Sequence, residues 1–390
     1  MNSPIDLERI RTDTPGAADI AHLNNAGSSL PPRPVVDAVV HYLRLEERMG
    51  GYETAAHQAD QLDAVYDATA RLLNCQPDEV AFTTSASDSW WRAFSAVPLA
   101  PGDRVLAGRS EFQTNAFGLL QARERGVQVD IVPHDADGVI DLEALDAMLD
   151  ERVKLISLTH VSMSNGCVHP AAAVGERARA AGAFFLLDSC QAAGQLPLDV
   201  HQLGCDFLVY TGRKFMRGPR GTGILYARSS VLDRLGPSPF VDGRSAHWSS
   251  PDTYEFLPQA QRFEFGEQNY AGKVGLGVAT QYALDIGIDA IAQRIAVLAG
   301  RLRSELAAID GVEVRDEGVE QCGIVTFTVA GHEAKAVFQA LQDRGVNVSA
   351  PGVHNAQNDL APRGLDAVVR AGVHYFNTDA DLDSLLTVVA

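Results

Sequence analysis

Between residues 79 and 227 the apolar positions come in short runs separated by longer helical stretches. Residues 79–84, 103–107, 128–133 and 154–159 each predict a strand, as do the run from Phe184 to Asp188, residues 207–210 and residues 224–227. Helical periodicity marks 35–49, 59–73 and 142–149, and a further helix opens near Trp90. Gly50-Gly51-Tyr52 interrupts the first of these. Apolar strands alternating with helices predict an α/β fold with a mostly parallel sheet covered on both faces. Ligands of such sheets bind at the carboxyl ends of the strands.

Beyond residue 227 the pattern changes. Residues 237–256 form a long stretch containing Pro237, Pro239 and Pro251, and a connection of that length is often a functional lid. A long helical pattern covers 274–308. Strand (323–329), helix (334–344), strand (346–349), strand (368–374) and helix (381–388) follow, which predicts a smaller α+β domain. The expected division is an N-terminal arm over 1–21, a large domain over 22–275 and the small domain over 276–390, with the arm joining the small domain. A chain of 390 residues suffices for one large and one smaller domain.

Composition adds exclusions. Apolar residues make up 46% and charged residues 21%, which describes an ordinary globular protein. A formal net charge of -18 argues against a nucleic-acid partner. No apolar run is long enough to span a membrane. Residues 1–19 are polar and acidic and lack a signal-peptide core, so the expected location is the cytoplasm. The cysteines, Cys75, Cys167, Cys190, Cys205 and Cys322, form no C-x-x-C pair, which argues against a zinc site or a disulfide framework.

Candidate chemistry gathers in residues 205–223, CDFLVYTGRKFMRGPRGTG. Lys214 follows a strand and a polar turn and is flanked by Arg213, Arg217 and Arg220. Neighbouring positive charge and burial lower a lysine's proton affinity and suit it to Schiff-base chemistry. Upstream, FFLLDSCQAAG ends a strand in Asp188, with Gln191 three residues on. Pyridoxal phosphate requires a lysine for its aldehyde and a carboxylate for its pyridinium nitrogen. Strand, small polar turn and helix start at Ser85, Ala86 and Ser87 make a phosphate cradle, where free N–H groups and the helix dipole favour an anion.

The set D-x-x-Q, T-G-R-K and R-G-P-R-G-T-G resembles the class V aminotransferase family of fold-type-I pyridoxal-phosphate enzymes, which includes cysteine desulfurases and cysteine C–S lyases. The resemblance covers nearly the whole chain, and GGY before a helix is similar to the ergothioneine-type C–S lyase branch. It implies a pyridoxal 5'-phosphate cofactor on Lys214, with Ser85, Ala86, Ser87, Thr211 and Arg213 at its phosphate and Asp188 and Gln191 at its ring. Phe112 stands where the family often stacks a histidine; its aromatic face can still stack but cannot shuttle a proton. Met163 replaces the family's ring-contacting asparagine, leaving Ser162, Ser164 or Asn165 as substitutes. In QRFEFGEQN, Glu267 and Gln268 replace the family's Thr-Pro, and Gln268 is the expected contact to the phosphate of a partner subunit. The resemblance thus implies a homodimer with shared active sites.

For the substrate, the family resemblance places Asn25, Ala26 and Gly27 at the pocket. Arg370, in VRAGVHYFNT, matches the arginine that clamps an amino-acid carboxylate. Group II desulfurases carry a persulfide-forming cysteine in the loop that here reads GVHNAQN, with Asn355 in its place. Asparagine cannot attack sulfur, so the expected reaction is β-elimination from a cysteine conjugate or its sulfoxide. Its products are pyruvate, ammonia and a sulfur-containing product. The same machinery suits an aminotransferase, an epimerase or a decarboxylating deaminase. A catalytically silent pyridoxal-phosphate-fold binding protein belongs to a different class.

Overall fold

The computed structural model describes residues 5–390; residues 1–4, the start of the expected arm, lie outside it. Seven strands form the main sheet: β1 (Val80–Thr83), β2 (Arg104–Ala107), β3 (Gln128–Ile131), β4 (Val153–Thr159), β5 (Phe184–Asp188), β6 (Phe207–Thr211) and β7 (Gly223–Ala227). Their order is β1-β7-β6-β5-β4-β2-β3. β7 runs antiparallel to both neighbours and every other pairing is parallel, so the carboxyl ends of six strands share one edge. Successive residues of β5 explain its unbroken apolar run. Phe185 and Leu187 enter one buried cluster, Phe184 and Leu186 the other, because helices cover both faces.

The helices of this part of the chain include α1 (Arg33–Met49), α2 (Ala59–Leu73), α3 (Ala86–Ala96) and α4 (Gln113–Glu124). α3 starts at Ala86 rather than near Trp90, because Ser85 caps it by accepting from the Asp88 N–H. The long helical pattern is two helices, α5 (Tyr270–Ile286) and α6 (Ile288–Ala307). They part at Gly287, whose φ of 95° lies where other residues are strained.

The C-terminal strands Val312–Val314, Ile324–Val329 and Val369–Gly372 form a separate antiparallel sheet. The expected strand over 346–349 is shorter, Val346–Asn347, and pairs in parallel with Ala21–His22 of the N-terminal segment. Leu23 is buried in the core of this C-terminal unit. The stretch expected as an irregular lid contains a two-stranded ribbon, Ala246–Ser250 against Thr253–Phe256, on which Trp248 and Tyr254 are exposed. Among the described residues no helix is long and apolar enough to cross a membrane.

Candidate active site

Lys214 sits three residues beyond β6, in a turn closed by the Arg217 N–H donating to its carbonyl. The side chain is buried, and burial lowers its proton affinity; Arg213 and Arg370 push the same way, while Cys190 and Asp188 oppose them. Its Nζ lies 5.7 Å from the centroid of the Phe112 ring. Arg217, at a positive φ of 58°, locks the turn from behind. Its guanidinium donates to the Leu30 carbonyl, the Tyr375 hydroxyl and Thr14 Oγ1, joining the turn to the N-terminal segment and the C-terminal unit.

Asp188 ends β5 beside this turn. Its Oδ1 accepts from the Cys190 N–H and its Oδ2 from Asn115 Nδ2, each at 2.9 Å. Burial raises its proton affinity, opposed by those two donors and by Lys214. The same Asn115 nitrogen donates to Glu111 Oε2 at 2.9 Å, so one amide joins two buried carboxylates. Gln191 donates to the Ala26 carbonyl, while its Oε1 is buried without a partner.

A cavity of about 300 Å³ opens over Lys214, lined by Ala26, Gly27, Phe112, Met163, Gln191 and Arg213, with Ser349, Asn355 and Arg370 opposite. Arg370 is buried, donates to Ser349 Oγ at 3.1 Å and to the Met163 carbonyl at 3.2 Å, and has no carboxylate partner among the described residues. Burial and the charge of Arg213 hold its pKa down at about 10. A buried guanidinium with no counter-ion at the cavity wall is built to receive an anion.

The turns expected to cradle the phosphate lie one strand over. Gly223, at the start of β7, pairs with Thr211 and with Thr83. A Cβ on Gly223 would fall 2.4 Å from the Ser85 carbonyl carbon, so only glycine lets these turns meet. Ser87 Oγ donates to Thr114, and Thr211 Oγ1 to the Thr222 carbonyl.

The aminotransferase class-V family matches residues 21–385. This chain belongs to the class-V aminotransferase family. It is 30% identical over 384 residues to a probable cysteine desulfurase of Methanothermobacter thermautotrophicus, covering 97% of this chain and 96% of that one. With a cysteine desulfurase of an Enterobacter species the identity is 29%, over 99% and 98%. The apo structure of a cysteine desulfurase from Thermococcus onnurineus superposes with a TM-score of 0.92 at 27% identity, over 100% of this chain and 98% of that one. The protein is therefore a pyridoxal-phosphate-dependent enzyme of fold type I. The residues present fit that cofactor: a buried lysine facing an aromatic ring, a buried carboxylate on the same sheet edge, an unpartnered Gln191 oxygen and a glycine-walled turn.

Several expected site residues lie elsewhere or are otherwise engaged. Asn25 is fully buried and its amide donates to the His22 and Gly372 carbonyls and accepts from Ser29, so only Ala26 and Gly27 face the cavity. The Ser85 hydroxyl is taken up in capping α3. Arg213 faces the cavity and donates to the Gly27 carbonyl. Gln268 is hydrogen-bonded within its own chain to Glu264 and Lys273. Ser162, Ser164 and Asn165, expected as substitutes at the Met163 position, form a buried network with Asp359 instead, and Met163 itself lines the cavity. Glu111, Asn115 and Ser349 escaped the sequence reading of the site; the spacing of Glu111 and Asn115 by one helical turn was the available signal.

Proposed function

We propose that the enzyme is a C–S lyase acting on an S-substituted cysteine or its sulfoxide. The observation that carries this reading is the loop opposite Lys214, where Asn355 faces the cavity and, among the described residues, no cysteine does. Cys167 and Cys322 are buried, and the Cys322 thiol donates to the Gly166 carbonyl. The relatives named as cysteine desulfurases support carbon–sulfur chemistry at this position. An amide at residue 355 supports a version of it in which the protein does not take the sulfur.

Arg370 binds the substrate carboxylate and orients Cα towards Lys214. Lys214 Nζ takes the α-proton, and its lowered basicity leaves the amine free to do so. Asp188 holds a proton at the ring nitrogen of the cofactor, and Asn115 fixes the orientation of that carboxylate. When bound, pyridoxal phosphate supplies an electron sink for the charge left on Cα. The Cβ–S bond then breaks with its electron pair on sulfur. Water completes the release of pyruvate and ammonia, and the sulfur leaves as a thiol, or as a sulfenic acid from a sulfoxide.

Product analysis with S-substituted cysteines and their sulfoxides tests the reading. Pyruvate and ammonia in equal amounts, with no amino acceptor required, are expected. A keto acid formed only with an amino acceptor overturns it in favour of a transaminase. We also propose a homodimer in which residues 262–269 reach the partner subunit. Val36, Val40 and Leu43 support it as an exposed apolar stripe on α1.

A further inference from the structure

We infer that the sulfur substituent of the substrate enters a second cavity beyond Asn355, and that this substituent is an apolar group the size of a benzyl or branched alkyl. The inference deepens the C–S lyase reading and rests on it.

The second cavity has a volume of about 450 Å³ and lies between α4, β3 and the loop that carries Asn355. Asn355 lines both cavities. Phe112 lines the first, while its chain neighbours Glu111 and Gln113 line the second, so the Phe112 and Asn355 side chains form the partition. With the carboxylate on Arg370 and Cα at Lys214, the sulfur points to the loop opposite. A methyl group ends there; anything longer must pass Asn355, and the space behind it is this cavity.

Its walls define the chemistry. Phe117, Leu119 and Leu120 come from α4, and Val129 and Ile131 from β3. Phe117 and Leu120 are 52% and 51% exposed, an unusual state for large apolar side chains beside a concave surface. Of the polar groups on the lining, Glu111 accepts from Asn115, Ser157 and Thr159 and Arg123 donates to the Val129 carbonyl, while Gln113, His354, Gln357 and Asn358 stand at the mouth. Arg123 keeps its charge at the exposed rim of this wall, while the apolar surface of Phe117, Leu119, Leu120, Val129 and Ile131 is available to be buried by a substituent.

The test uses cofactor-loaded protein and two ligands that lack the α-proton and cannot eliminate, α-methyl-S-benzylcysteine and α-methyl-S-methylcysteine. Their dissociation constants are measured by spectral titration in native protein, in Ala116→Trp, which fills the cavity from α4, and in Leu120→Glu, a change on an exposed helix face. The benzyl ligand is expected to bind about tenfold tighter or more, a difference of about 1.4 kcal/mol. Both variants should reduce that ratio to about threefold or less, with methyl-ligand affinity held within about twofold as the control for folding. Equal affinities in native protein, or a ratio that survives both variants, overturn the inference. Pyruvate from S-methylcysteine with no benzyl preference removes the cavity and leaves the lyase reading. A benzyl preference lost in both variants, with no pyruvate from any conjugate, keeps the cavity and removes the lyase reading.

Discussion

Two buried carboxylates, Glu111 and Asp188, share the amide nitrogen of Asn115. Burial raises the pKa of Glu111 to about 7; its bond to Asn115 opposes that, Asp188 adds to it by repulsion, and Ser157 and Thr159 oppose it again. A carboxyl whose folded pKa exceeds its unfolded value stabilises the fold fully below about pH 4.5, and this contribution is lost as pH rises through about 7. The loss amounts to up to about 3 kcal/mol. Glu111→Gln keeps the shape and removes the titration. Urea unfolding of native protein and variant should therefore diverge across this pH window, the variant losing less stability as pH rises. A difference that is constant with pH contradicts the assigned protonation. At this scale, Lys214 and Asp188 were legible because each is a polar residue ending or following an apolar run, where a parallel sheet collects its ligands. Glu111 and Asn115 were not, because their partner lies on another strand and only the folded chain brings it near.

Strands and helices were legible where burial is simple. The runs that became β5, β6 and β7 are largely apolar because both sheet faces are covered there, and the positions of all seven strands follow the sequence pattern within a residue or two. Elements failed where backbone geometry, not side-chain pattern, decides. Helical periodicity runs through Gly287, yet the chain turns there between α5 and α6. The site's partition is similar: nothing in GVHNAQN signals that Asn355 separates two cavities. At Gly287 a Cβ would meet nothing within 4 Å, so any cost of substitution is conformational. Gly287→Ala should lower stability by about 1–3 kcal/mol through its positive φ alone. An unchanged urea midpoint would show that the joint between the helices relaxes freely.

Across the whole molecule, charge is unevenly spread. The chain carries a net -18, yet Arg213, Lys214 and Arg370 face one cavity. Such a focus draws an anionic cofactor and an amino-acid carboxylate to one edge of the sheet, and its effect on association falls with salt. The N-terminal segment, the Lys214 turn and the C-terminal unit meet at Arg217, so closure of the site is a property of the entire chain. The proposed shared-site homodimer belongs to this scale too. Sedimentation should find a dimer, and a fully active monomer would contradict it.

The central claim is that sulfur departs with its own substituent and never resides on the protein. Intact-mass measurement of the enzyme during turnover of an S-substituted cysteine tests it most directly. The account predicts a chain mass unchanged throughout turnover while pyruvate accumulates. A gain of one sulfur atom on the chain, removed by mild reduction, would contradict it and identify a sulfur-accepting cysteine.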